Sequence, residues 1–330
     1  MLGRMLLFLG FLFFCSLMQA QRIYVSEQGT GLGTSWEDAL GDLQLALGQA
    51  TFGTEIWVSA GTYFPTQTGD RNMHFTIPDG VMLYGGFKGT ETDLSQRNWD
   101  IHLTLLSGEI GTPAPSDNSF TVLYTSGASD ATIIDGFMIT GGLANGVGEK
   151  GDKTVSGGGW YNDGTRGPSM PEIRNCTFNN NFGREGAALF NNGHRGNAIV
   201  TVQNCTFTNN VADLDGGAIY NESTSGNAYL FLRHSVFNSN EASYGAGIFN
   251  SNKEGVGKVL IQDCEFTNNL SYIRGSSIYE TGRVSATVEN SVFQNNQSSF
   301  GMEEAPITPV EYKTQPKGAS NPFTVKSAGS

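Results

Sequence analysis

Charge is scarce in this chain. Only 15% of its 330 residues are Asp, Glu, Lys or Arg, against about a quarter in ordinary domains. Basic residues are the scarcer sign: 19 Lys and Arg face 31 Asp and Glu, for a formal net charge of −12. No basic stripe exists to displace phosphate counterions, so nucleic acid is not an expected partner. Cysteine is sparse too, and past residue 20 it stands only at Cys176, Cys205 and Cys264. An odd number at spacings of 29 and 59 residues excludes a closed disulfide framework. The missing CxxC and paired His exclude a zinc pattern, and His74, His102, His194 and His234 share no metal-ligand spacing.

Long apolar runs are absent past the first twenty residues. Met5 to Met18 is apolar, but fourteen residues are too few to span a bilayer. Arg4 precedes the run, and the small Ala20 stands before Gln21. Residues 1–20 are therefore predicted to be a signal peptide, and the mature chain to be exported, outside the cell or at the outer-membrane surface. Cys15 would suit lipid attachment, but the bulky Phe14 before it argues against that.

Glycine is abundant, with 44 of 330 positions, nearly twice the usual share of about 7%. That excludes a helical bundle and suits short strands joined by tight turns. The strands repeat. IRNCTFNNN, VQNCTFTNN, LRHSVFNSN, IQDCEFTNN and VENSVFQNN place Phe178, Phe207, Phe237, Phe266 and Phe293 at spacings of 29, 30, 29 and 27. Three residues after each Phe comes Asn181, Asn210, Asn240, Asn269 or Asn296. A Gly-rich block follows, ending at Asn191, Asn221, Asn250 and, with a departure, Glu280; an earlier copy ends at Asn162. The clearest repeats run over 131–301.

One repeat reads as three short strands of two-residue alternation, too small to bury its own apolar face. Stacking the repeats about 4.8 Å apart buries all the faces in one core. The predicted fold is all-β, a right-handed parallel β-helix in which one repeat is one coil. The Phe residues would stack inside it. The Asn residues would form ladders, because an amide can bond both above and below itself. In the N-terminal third, EIWVSAGTY, GVMLYGGF, LTLLSG and FTVLYT read as strands. Residues 35–50 read as an amphipathic capping helix, with Ser35 as N-cap, Asp38 in the reciprocal position, and Trp36, Leu40, Leu43, Leu47 and Ala50 on one face. The β-helix domain is thus expected over 21–301. Residues 302–330, with four Pro among scattered Lys, Ser and Gly, read as a disordered tail. That would leave the last coil uncapped and open to end-to-end self-association.

The FxxN and GGA[I/L] pairs, seen most fully in FTNN and GGAIYN, resemble the repeats of polymorphic outer-membrane proteins, bacterial surface adhesins with a β-helical passenger. The string GTSWEDALGDLQLAL…EIWVSAGTY…LYGGFKGTE resembles the opening of secreted β-helix-repeat proteins of Gram-negative bacteria. Together the resemblance covers about residues 22–301. It implies the fold, its hand and a surface location. The polymorphic family ends in a membrane barrel, and no series of ten-residue alternating strands follows the repeats here.

Pectin-lyase-like solenoids also include polysaccharide lyases and glycoside hydrolases, and fold alone does not choose between enzyme and binder. The polygalacturonase-type strings NTD, DD, GHG and RIK are missing, and no catalytic residue is assigned. Asp213 and Asp215 are candidate Ca²⁺ ligands, with Arg184, Arg195 and Arg274 nearby. Asp215 would stack with Glu185, Tyr244 and Arg274, a mixed column that reads better as solvated turn residues. A second aromatic column, Tyr161, Phe190, Tyr220, Phe249 and Tyr279, follows the apolar residues Trp160, Leu189, Ile219, Ile248 and Ile278. If the apolar residues point inward, alternation sends the rings outward, where they would suit a glycan or a surface protein. Leu143 to Ser156 is an insertion relative to later coils, and solenoid insertions tend to emerge on a binding face. The expected function is adhesin-like binding. The alternatives are a Ca²⁺-dependent polysaccharide lyase or hydrolase, and a truncated fragment of a larger surface protein.

Overall fold

The structure is a computed structural model that describes residues 21–282 and 285–299. The predicted signal peptide and tail lie outside the described residues. The fold is a parallel β-solenoid of right-handed type. Its strands gather into four parallel sheets of nine, eight, six and seven strands. The coil that starts at Asn197 shows the plan. Asn197–Gln203 lies in the nine-stranded sheet, Thr206–Thr208 in the eight-stranded, Val211–Asp215 in the six-stranded and Ile219–Glu222 in the seven-stranded. Asn227–Arg233 then opens the next coil, pairing residue for residue with Asn197–Gln203.

A coil therefore has four strands where the sequence suggested three. The extra division comes from the backbone. Each full coil turns four corners, and each corner holds one residue of positive φ: Asn204 (53°), Asn209 (54°), Gly216 (71°) and Ser225 (54°) in this coil. The preceding coil uses Asn175, Asn180, Gly186 and Arg195, and the following one His234, Ser239, Gly245 and Glu254. Asn tolerates this left-handed conformation better than most residues because its short side chain can bond locally. The third corner is always Gly because it is crowded as well as left-handed. A Cβ on Gly216 would lie 2.5 Å from the Ile219 carbonyl oxygen.

The repeat register builds the core. Phe178, Phe207, Phe237, Phe266 and Phe293 stack face to face with ring centroids 5.0, 4.7, 4.5 and 4.9 Å apart. The first four are buried, and Phe293 packs partly buried against them. Burying each such ring contributes roughly 1.5–3 kcal/mol. Val200, Leu230 and Val259, in register on the nine-stranded sheet, are buried in the same core. Cys176, Cys205 and Cys264 are free, buried thiols.

Strands occupy each of the four N-terminal segments read as strands: Glu55–Ser59 with Gly61–Tyr63, Met82–Phe87, Thr104–Ser107 and Leu123–Ser126. The helix is shorter than expected. It spans Leu43–Gln49, with Asp42 as N-cap accepting from the Gln44 and Leu45 amides. Leu43, Ala46 and Leu47 are buried in the main core. Residues 35–42 are not helical, because their backbone is engaged elsewhere. Gly31 and Gly33 donate to Ala39 and Asp38, and Leu40 donates to Tyr24. Ser35 accepts from the Asp38 amide, capping a turn instead of a helix. Trp36 leaves the expected face altogether. It packs against Tyr24 and Phe87 and donates its indole N–H to the Glu91 carbonyl.

Candidate functional site

Two files of buried Asn run along the solenoid. In the first, each amide donates to the next coil: Asn162 to Asn191 (2.8 Å), Asn191 to Asn221 (2.7 Å) and Asn221 to Asn250 (3.0 Å). It ends where Asn250 donates to the Glu280 carboxylate. At its head, the Asn162 carbonyl oxygen accepts from Thr125 and Ser169. The second file runs Asn181, Asn210, Asn240, Asn269 and Asn296, at 3.1, 2.9, 3.0 and 2.9 Å. Each member from Asn181 to Asn269 also takes the next residue's carbonyl oxygen onto its own backbone N–H. These amides satisfy buried backbone that an apolar side chain would leave unpaired.

The second aromatic column is in register as expected, but it is not exposed. Phe190 and Tyr220 are fully buried, Tyr161 and Phe249 are 5% exposed, and Tyr279 is half-buried. The rings do point away from the main core, forming a separate cluster with Tyr124, Tyr244 and Tyr279 at its margins. Centroids step 6.1 Å from Tyr124 to Tyr161, then 5.3, 5.1, 4.8 and 5.5 Å to Tyr279. What buries them is the insertion after Leu143–Ala144. Tyr161 donates its hydroxyl to the Gly151 carbonyl, and the Lys150 ammonium lies 4.6 Å from the Tyr220 centroid and 5.8 Å from that of Phe249. Arg184 donates to the Gly148 carbonyl, and Ser156 donates to the buried Glu185. The insertion is a cover on the column, which therefore offers no continuous exposed platform.

The candidate Ca²⁺ ligands do not converge. Asp213 is exposed, whereas Asp215 is paired with Lys150 at 3.7 Å. Asp215 stands in register with Glu185 and Tyr244, and Tyr244 with Arg274, the expected mixed column. Burial pushes the Asp215 carboxyl up to about 6, opposed by Lys150 and reinforced by the charge of Glu185. Glu185 is engaged by Arg184 and Ser156. Among the described residues no group of three or more His, Cys, Asp or Glu is placed to hold a metal ion. His234 occupies the first corner of its coil, 4.0 Å from Asp263 on the next.

The insertion also creates a cleft. Where its far end meets the seven-stranded sheet, an open hollow of about 310 Å³ is lined by Tyr124, Gly151, Asp152, Lys153, Tyr161, Asp163 and Arg166. Three elements besides the insertion supply these groups. Tyr124 comes from the strand Leu123–Ser126, and Tyr161 and Asp163 from its neighbour Trp160–Asp163. Arg166 comes from the turn that follows. Asp163 organises the floor. One of its oxygens accepts from the Thr165 amide (2.9 Å) and hydroxyl (2.6 Å), and the other from the Tyr124 hydroxyl (2.8 Å). Asn192 donates to the Tyr161 hydroxyl. The Lys153 ammonium stands 5.4 Å from the Tyr124 centroid. The cleft thus offers phenol rings beside charged hydrogen-bonding groups, which is the chemistry of a polar ligand with an apolar face. The insertion was legible in sequence as a loop that emerges from the solenoid. Tyr124 and Arg166 were not, because their approach depends on where that loop folds back.

Residues 204–222 match the Chlamydia polymorphic membrane protein (Chlamydia_PMP) repeat. The chain carries a repeat of the polymorphic-membrane-protein type. The matched stretch contains one of each device described above: Asn204 and Gly216 at corners, Phe207 in the ring stack, and Asn210 and Asn221 in the two Asn files. The match thus spans three of the four corners of one coil. No curated protein matches the chain.

Proposed function

We propose that this protein is exported to the cell surface and acts there by binding, with glycan as the ligand and the cleft beside Tyr124 as the site. The observation that carries the reading is the cleft itself, in which two tyrosines and four charged side chains meet where the insertion folds onto the solenoid. The polymorphic-membrane-protein-type repeat supports the surface location. The solenoid serves as a scaffold, and its internal hydrogen bonds hold the strands that present the site. The test is to offer the full chain a panel of acidic and neutral oligosaccharides and measure retention and cleavage together. Saturable binding without product supports the reading, and absence of binding to every member overturns it.

One observation favours a second reading, a polysaccharide lyase or hydrolase. A carboxyl pushed up to about 6 can serve as a general acid near neutral pH, and Asp215 has that property. New reducing ends or unsaturated products in the same assay, lost in Asp215→Asn, would establish the enzyme.

A further inference from the structure

The glycan reading says nothing of which sugars fit, but the unmet hydrogen-bonding capacity of the cleft does. Its two carboxylates are already engaged. Asp163 accepts from Thr165 and Tyr124, and Asp152 accepts from the Glu149 amide at 2.8 Å. Its two cations are not engaged to the same degree. The Arg166 guanidinium lies 3.9 Å from Asp163, with four-fifths of its side chain exposed. Lys153 is given an aromatic face, the Tyr124 ring, in place of a carboxylate at salt-bridge distance. What the cleft has to spare is therefore donors: the three N–H of an ammonium and the fork of a guanidinium.

We propose that the cleft selects an acidic sugar, taking its carboxylate between Lys153 and Arg166 and its C–H surface against the wall of Tyr124 and Tyr161. This rests on the glycan reading and names its substrate class. Electrostatics supports it. The Lys153 ammonium is held below the ordinary lysine range, first by burial and then by the charge of Arg166, with Asp163 opposing. Two cations that disfavour each other are relieved by an anion placed between them. A carboxylate also suits a guanidinium geometrically, since its two oxygens match the two parallel N–H bonds. The surroundings add selectivity. The chain as a whole is acidic, so a polyanion is repelled elsewhere and less so here, where two cations offset the two carboxylates.

The experiment compares a glucuronate-containing oligosaccharide with its methyl ester, by titration calorimetry on the full chain. The ester keeps every ring and every C–H face and removes only the charge. The expected result is at least tenfold tighter binding of the acid, weakening with added salt. Arg166→Gln and Lys153→Gln should each reduce the ratio of acid to ester affinity about tenfold. Arg166 is exposed, so an unchanged melting temperature in Arg166→Gln shows that the fold is intact. Equal affinity for acid and ester would overturn the anion preference and leave glycan binding standing. A preference for the acid that survives both substitutions would place the anion site elsewhere and overturn the assignment to this cleft. Failure of both sugars, and of the wider panel, would overturn the glycan reading itself.

Discussion

Lys150 covers Tyr220. Its ammonium sits 4.6 Å from the centre of a ring seventy residues further along the chain, and 3.7 Å from the Asp215 carboxylate. One side chain thus pins the insertion to the column through a cation–π contact and an ion pair. Lys150→Ala is expected to cost about 1 kcal/mol, because the pair is partly solvated. The more sensitive readout is local. Amide exchange across residues 145–154 should rise well before any change in the buried Phe stack.

Tyr220→Ser tests whether the column is structural. A ring this deeply buried and stacked on both sides should cost about 3–5 kcal/mol on removal. Chemical denaturation would register that as a large drop in midpoint. A near-neutral result would mean that the column contributes little packing and that the cover over it is open in solution.

Acidity should stabilise the insertion side of the molecule. The Asp215 carboxyl is raised to about 6 from an ordinary 3.8. Between those values the folded chain holds a proton that the unfolded chain has released. Its contribution is therefore lost as pH rises from about 4 to 6 and is nearly constant above. Moving from pH 7 to pH 5 should return about 1 kcal/mol at this site. Thermal melts of the wild type and Asp215→Asn at both pH values isolate it. The variant should lack this increment, and an identical pH response in the two proteins would refute the assignment.

Asn240 is the member of its file whose loss is easiest to interpret, because it is fully buried and engaged on both sides. It donates to Asn269 and the Phe207 carbonyl, and it accepts from the amide and backbone N–H of Asn210. Asn240→Ala strands several of these groups at once, for an expected loss of about 3–5 kcal/mol. Asn240→Leu should fare no better, although Leu fills more space. If Leu restored stability, packing rather than hydrogen bonding would be what the file provides.

The corners predict a contrast within one residue. Asn209 has φ 54° and an exposed side chain. Asn209→Gly should leave the denaturation midpoint almost unchanged, whereas Asn209→Ala should cost about 1 kcal/mol or more for the left-handed backbone. Equal effects would show that the side-chain bond to Asn179, not the backbone, selects Asn at this corner.

The parts that could be read in advance are those that recur. Phe207 and Asn210 come back in each later coil, so their side-chain chemistry could be inferred from the interval alone. The corners were half legible. Asn175, Asn204 and His234 fall at one position of the repeat, but the repeat itself did not show that all three share a left-handed backbone. Contacts made once were not legible. Trp36 continues a helical apolar pattern in sequence, yet backbone bonds around Gly31 and Gly33 claim its neighbours. The column alternates correctly with Ile219 and Ile248, so its outward direction was right. Its burial depends on Lys150 and Gly151, which belong to an earlier coil and an unrepeated loop.

The two Asn files share a direction. Every Asn-to-Asn bond, from Asn162 to Asn250 and from Asn181 to Asn296, is donated toward the C-terminal end. The floor plan of the molecule is consequently stored in each coil and not in the whole. Between Asn210 and Asn240 the chain makes one circuit and returns to the same wall, the same corner and the same hydrogen-bond polarity. Excising such a circuit joins surfaces that already match, and duplicating it does the same. Length in this architecture is a free variable: a gene built this way can grow or shrink by whole turns and still encode a wall without a seam.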